Sequence, residues 1–141
     1  MNKELRTQVR INAAPEKVWQ ILSDFERYPE WNPFVKKISG RPEVGKTIRV
    51  SLPGMGFTPK VLVFEPAKEF RWKGKLLFTG LFDGEHYFIL EENPDGSTTF
   101  THGEKFSGIL LPLLAKSLDG DTKNGFGAMN QALKIRCEEA G

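Results

Sequence analysis

The sequence holds a single cysteine, Cys137, in 141 residues. One thiol cannot close an internal disulfide and cannot build a Cys-ligated zinc site, so the fold is expected to stand without either staple. A lone thiol also suits a reducing compartment. Charge of one sign is missing as well: 20 Lys and Arg stand against 18 Asp and Glu, a net charge of +2. The basic residues are interspersed with acids, so no basic stripe forms and no nucleic-acid partner is expected. No apolar run approaches the roughly 18 residues of a membrane span. The first ten residues are charged and lack an apolar stretch, so no signal peptide is read there. These absences together predict a cytoplasmic protein.

Hydrophobic residues make up 39% of the chain and charged residues 27%, which is the balance of a globular protein. The length predicts one domain spanning residues 1–141. Phenylalanine is unusually frequent, with 11 copies. Its side chain needs no polar partner when buried, so the interior is expected to be dry.

Along the chain, Leu5, Thr7, Val9 and Ile11 alternate with Arg6, Gln8 and Arg10. This period of two predicts a half-buried strand. Pro15 stands where a helix begins, and Val18, Leu22 and Phe25 follow at helical spacing. A short amphipathic helix over residues 15–25 is predicted. Pro29 and Pro33 interrupt the next stretch, so no long helix continues there. From Phe34 to Phe106 the pattern is a run of short strands separated by turn signals, which predicts an antiparallel meander. The last part is helical from Pro112 to Glu139, with Leu114, Leu118, Phe126, Met129, Leu133 and Cys137 near one stripe. The segment Asp119, Gly120, Asp121 marks either a break or a place where the helix passes close to a sheet or ligand. The order is strand, short helix, about six strands, long helix, an α+β arrangement.

That order, with its residues, resembles the START-like superfamily, the polyketide cyclase/dehydrase and lipid-transport group that also holds the birch-pollen-allergen type. The most specific residues are Ala14, Pro15, Glu16, Val18 and Trp19, then Asp24, Tyr28, Pro29, Trp31, Asn32 and Pro33. A second match runs from Thr101 through Gly103, Glu104 and Gly108 into the leucines around Pro112. The resemblance covers the whole chain. It implies a helix-grip fold, a curved antiparallel sheet of about seven strands wrapped around a long C-terminal helix. It also implies an internal pocket for a small hydrophobic molecule such as a lipid, polyketide or aromatic metabolite. The superfamily hosts carriers, hormone binders, cyclases and chaperone activators, so the fold does not name the function. It has no universal catalytic motif, and no catalytic residue is carried over.

The strands on either side of Asn93 can be aligned from the sequence. Their apolar sets must share a face, so paired residue numbers must sum to an even number. A three-residue loop from Asn93 to Asp95 pairs Glu92 with Gly96. Continuing outward pairs Phe88 with Phe100, His86 with His102, Gly84 with Glu104 and Phe82 with Phe106. All of these point to one face, which by the resemblance is the concave face that grips the C-terminal helix. His86 and His102 are therefore expected side by side among phenylalanines, with Glu104 near them. They read either as satisfied polar residues or as groups that orient the polar end of an apolar ligand. A histidine beside a glutamate is also the pairing of a general base, but no Ser or Cys stands as a nucleophile next to it. Trp31, Phe34, Trp72, Phe126 and Met129 complete the expected ligand-binding set. By the resemblance, Trp31 lies near the pocket entrance.

Three motifs mislead. Gly40, Gly45, Lys46 and Thr47 match the P-loop spacing, but the alternation of Ile48, Val50 and Leu52 predicts a strand where a phosphate loop needs a helix. His102 and Glu104 match the His-x-Glu of zinc deaminases without the required cysteine pair. A lone Gly54-x-Gly56 reads as a loop between strands. No metal and no cofactor is expected. The expected function is binding or transport of a small hydrophobic ligand by a monomer or homodimer. A cyclase or dehydratase acting on such a ligand, and a chaperone-activating or regulatory interaction module, are the alternatives.

Overall fold

The computed structural model describes residues 2–76 and 79–139. Strand β1 (Asn2–Ile11) leads into helix α1 (Pro15–Leu22), a 3-10 turn (Phe25–Arg27) and helix α2 (Tyr28–Trp31). Strands β2 (Lys37–Ser39), β3 (Arg49–Leu52), β4 (Met55–Phe57), β5 (Lys60–Glu65), β6 (Glu69–Lys75), β7 (Asp83–Glu92) and β8 (Thr98–Ser107) follow. The chain closes with helix α3 (Leu111–Ser117), a π-helical turn (Leu118–Thr122) and helix α4 (Lys123–Glu138).

Five strands form one antiparallel sheet in the order β1-β8-β7-β6-β5, and β2-β3-β4 form a second. A bridge between Thr47 and Lys60, with backbone hydrogen bonds joining Gly45, Lys46 and Ile48 to Val61 and Pro59, ties the two. The described strands number eight, one more than expected, because the stretch from Lys37 to Phe57 makes its own small sheet. Alternation decides what faces inward. Along β1 the inward set is Leu5, Thr7, Val9 and Ile11; along β6, β7 and β8 it is the even-numbered residues. Helix α4 lies against β1 and β8 and buries Phe126, Met129, Asn130, Leu133 and Cys137. The α+β helix-grip architecture is therefore present.

Helix α1 stops at Leu22, three residues short of the prediction. The backbone N–H and hydroxyl of Ser23 both turn back onto the carbonyl of Trp19, at 2.8 and 2.6 Å. The C-terminal helix does not break at Gly120. It widens into the π turn and then continues, the kind of irregularity often found at functional sites. The residues of the P-loop pattern form a turn that leads into β3, with no helix after it.

The alignment of β7 with β8 differs from the prediction by two residues. The loop has five residues, not three: the Asn93 N–H donates to the Ser97 carbonyl at 2.8 Å, and Asp95 Oδ1 accepts from both the N–H and hydroxyl of Ser97. Glu92 therefore pairs with Thr98, Phe88 with His102, His86 with Glu104 and Gly84 with Phe106. A shift of two keeps every side chain on its predicted face, because strand side chains repeat every two residues. Phe82 falls just outside β7 but still stacks on Phe106, with ring centroids 5.7 Å apart.

Two apolar clusters fill the interior. The larger holds Ile11, Leu22, Phe70, Trp72, Phe88, Phe100, Met129 and Leu133 among others. The smaller holds Leu5, Phe106, Leu111, Leu118 and Phe126, and Phe34 packs against both. Asn32 presents Phe34: its Oδ1 accepts from the N–H groups of Phe34 and Val35 at 3.0 and 2.9 Å.

Candidate functional site

Between the two clusters, side chains from four elements form one continuous hydrogen-bonded chain. Glu104 Oε1 of β8 is 2.8 Å from His86 Nδ1 of β7. His86 Nε2 is 2.7 Å from His102 Nε2. His102 Nδ1 is 2.9 Å from Asn130 Oδ1 of α4. Asn130 Nδ2 donates to the Thr7 hydroxyl of β1 at 2.8 Å, and that hydroxyl donates to the His102 carbonyl at 2.7 Å. The pairing of β7 with β8 sets Glu104 directly opposite His86 and places His102 one diagonal step further in.

Aromatic rings enclose both imidazoles. Trp72 stacks on His86 at 4.7 Å and Phe126 stacks on His102 at 4.3 Å. Phe88 lies 4.7 Å from His102 and 5.0 Å from His86. Phe34 meets Phe126 edge-on at 5.3 Å. His102 is fully buried and His86 nearly so, whereas the Glu104 side chain keeps 17% of its surface exposed. The chain thus runs from a partly wetted carboxyl through two buried imidazoles and buried Asn130 to Thr7, which is again half-buried.

Burial disfavours the charged form of each group. It pushes the Glu104 carboxyl up to about 8 and His86 down to about 3. His102 is held well below its usual range, by burial first and by the neighbouring His86 second. All three groups are therefore neutral around pH 7. A chain of neutral, mutually satisfied groups can orient the polar end of an apolar guest and can pass or hold a proton at Glu104.

Two glycines make room for this arrangement. A Cβ on Gly84 would lie 2.1 Å from Glu104 Oε2, so only glycine leaves that oxygen its place. A Cβ on Gly125 would lie 2.5 Å from Phe34 Cδ1, so glycine lets Phe34 settle against α4. An open groove of about 450 Å³ at this end of the sheet is walled mostly by residues at outward positions, among them Glu4, Lys73, Glu85 and Lys105, with Gly84 and Phe106 at its edge, and a second of about 280 Å³ lies beside Ile109 and Pro112. The space between the sheet and α4 is occupied by the protein's own rings.

Of the residues expected at the site, His86, His102, Glu104, Trp72, Phe88, Phe126 and Phe34 come together. Phe82 and Phe106 form a stacked pair in the smaller cluster, and Met129 packs in the larger one. The ring neighbour of Trp31 is Tyr28, at 5.2 Å, rather than a member of the chain. Sequence reasoning missed Asn130 and Thr7. Both had a signal: Thr7 is a polar residue at an inward position of β1, and Asn130 follows Phe126 by four residues on the buried face of α4. Among the described residues no group of three or more metal-ligating side chains converges.

A family model described as polyketide cyclase/dehydrase and lipid transport matches residues 3–134. No curated protein matches the sequence. Several solved structures share the fold. An aromatase/cyclase from Streptomyces sp. R1128 is 14% identical, with a TM-score of 0.77 over 98% of this chain and 94% of that one. A START superfamily protein from Mycobacterium smegmatis is 22% identical, with a TM-score of 0.71 over 96% and 97%. A hypothetical protein from Helicobacter pylori is 18% identical, with a TM-score of 0.80 over 96% and 88%. At these identities the likeness concerns the fold alone. No helix among the described residues is long and apolar enough to cross a membrane.

Proposed function

Since the chain belongs to the polyketide cyclase/dehydrase and lipid-transport family, we propose that it binds or carries a small hydrophobic molecule between the concave sheet face and α4. One observation carries this reading: a hydrogen-bonded chain of polar side chains set inside an aromatic wall, its two histidines buried and its Glu104 carboxyl partly exposed. Folding alone does not require it. Apolar residues of similar volume are often equally or more stabilising than buried polar pairs. Ligand pockets, in contrast, combine apolar walls with a few placed polar groups. The expected ligand-binding residues Trp31, Phe34, Trp72, Phe82, His86, Phe88, His102, Glu104, Phe106, Phe126 and Met129 stay with this proposal, with Glu104 and His86 as its polar end.

The rings that fill the space must move for a guest to enter. Phe34 is the one to displace, since it sits in a loop, is only partly buried and plugs the gap between the clusters. The guest would select an open conformation and replace ring contacts with its own. Each methylene it buries contributes about 0.8 kcal/mol.

A second reading, an interaction module, is favoured by the filled interior together with the exposed side chains of Ile109 (75%) and Leu113 (81%). Native mass spectrometry followed by solvent extraction, then titration with a hydrophobic fluorescent probe, separates the two. A co-purifying apolar molecule or saturable probe uptake lost on Phe126→Asp supports the pocket. A clean apo mass with no uptake refutes it and leaves the interaction module.

A further inference from the structure

The hydrogen-bonded chain has a direction, and that direction places a proton. The Thr7 hydroxyl has one hydrogen, which it gives to the His102 carbonyl, a group that can only accept. It must therefore accept from Asn130, which turns the Asn130 amide nitrogen to Thr7 and its Oδ1 to His102. Facing Asn130 Oδ1, His102 Nδ1 carries its N–H, and the neutral ring offers a lone pair at Nε2. His86 Nε2, 2.7 Å away, must then be the donor, and His86 Nδ1 becomes an acceptor. Among the described residues, the only group that meets it is Glu104 Oε1, at 2.8 Å, which must then be the donor.

We propose that Glu104 is a carboxylic acid that donates its proton to His86, and that its outward carbonyl oxygen Oε2 receives a neutral hydrogen-bond donor, so that the site takes apolar alcohols, phenols or amides and rejects carboxylates. The class of guest rests on the ligand-binding reading above; the position of the proton does not. Moving that proton through His86 to His102 would keep every distance but leave an imidazolium in the dry interior, separated from its carboxylate by a neutral ring, which burial opposes. Among the described residues, the titratable groups at inward strand positions near Glu104 are His86, His102 and Lys3, and Lys3 is engaged by Asp119 at 2.7 Å. Burial alone raises the Glu104 carboxyl, in agreement with this geometry. A guest carboxylate beside Oε2 would meet a lone pair and no opposite charge. A hydroxyl or amide N–H there completes the row of donors pointing inward.

The test has two arms, the first on the wild-type chain and the second on the wild type and one variant. Long-range nitrogen–proton correlation spectra of 15N-labelled protein at pH 7 are expected to show His102 as the Nδ1–H tautomer and His86 as the Nε2–H tautomer, with a protonated Glu104 carboxyl carbon. An Nδ1–H His86 with an ionised Glu104 overturns the proposal. Calorimetric titration with 2-naphthol, naphthalene and 2-naphthoate is expected to give naphthol at least about tenfold tighter than naphthoate, the difference shrinking in Glu104→Ala. Equal or tighter naphthoate binding overturns the guest class while ligand binding itself stands. No binding by any of the three, with the tautomers as expected, overturns the ligand-binding reading and the guest class and leaves the proton where the geometry puts it.

Discussion

Replacing Glu104 by Gln keeps the shape and the donor toward His86 Nδ1 but removes the titrating carboxyl. The folded carboxyl holds its proton up to about 8, because burial disfavours the anion, while the ordinary value is 4.5. Between these values the native state binds one proton that the unfolded chain has released. Raising the pH through this window therefore destabilises the wild type by about 1.4 kcal/mol per unit. The Glu104 contribution is fully present below 4.5 and lost by about 8. The Gln variant lacks this slope, and both proteins carry the same histidines, so the histidine contribution cancels in the difference. Since 17% of the Glu104 side chain meets water, the total gain of Glu104→Gln over wild type from pH 5 to pH 8 is placed at about 2–4 kcal/mol. Urea unfolding monitored by tryptophan fluorescence at half-unit pH steps measures it, with Trp72 stacked on His86 as a local reporter. A difference that does not change with pH would mean that Glu104 is ionised in the native state and would refute the reasoning. A difference that shrinks as pH rises would reverse its sign.

Other outcomes follow from the same geometry. His86 and His102 are both held below their ordinary value by burial, so their contribution is present above about 6.5 and is lost as pH falls below it, for His86 down to about 3. In Glu104→Gln, where no carboxyl offsets them, stability should drop by about 2.7 kcal/mol per unit below pH 6, read by the same urea titration. Gly84→Ala puts a methyl where Glu104 Oε2 rests, and Glu104 can swing outward. The variant should fold with a loss of about 1–3 kcal/mol, and the carboxyl carbon of Glu104 should titrate near its ordinary value by NMR. Asn130→Ala removes the donor to the Thr7 hydroxyl oxygen and the side-chain acceptor of His102 Nδ1, and should lower stability by about 1–3 kcal/mol in thermal or urea unfolding. Gly125→Ala would push a methyl into Phe34 and loosen its seat on Phe126. Its expected signature is faster hydrogen exchange at residues 32–36 and stronger uptake of a hydrophobic probe than wild type.

The buried chain also weighs function against stability. Every buried side-chain polar atom along it is paired, so it is not a defect of the core, yet its benefit depends on all five side chains being present at once. Losing one member leaves a buried donor or acceptor without a partner, which costs more than the bond itself contributed. That interdependence is why Thr7 and Asn130, far from the wetted end, are expected to matter to whatever Glu104 does.

The period of two along β7 and β8 was enough to place His86, His102 and Glu104 on one face among phenylalanines, because strand side chains alternate whatever the partner. Helical spacing likewise marked α1 and the long C-terminal helix, and Pro29 with Pro33 marked the broken stretch between them. Which residue stands opposite which was beyond the pattern. The pairing depends on a five-residue loop closed by Asn93, Asp95 and Ser97, and parity is blind to a shift of two. Nor did the sequence reveal the inner end of the chain. His102, Asn130 and Thr7 are separated by 28 and 123 positions along the hydrogen-bonded path and meet only because α4 is laid across β1 and β8. The tertiary structure alone buries the histidines, orders the donors from Glu104 inward and so decides where the proton sits, since protonation follows from dielectric and from neighbours, and neither is local in sequence.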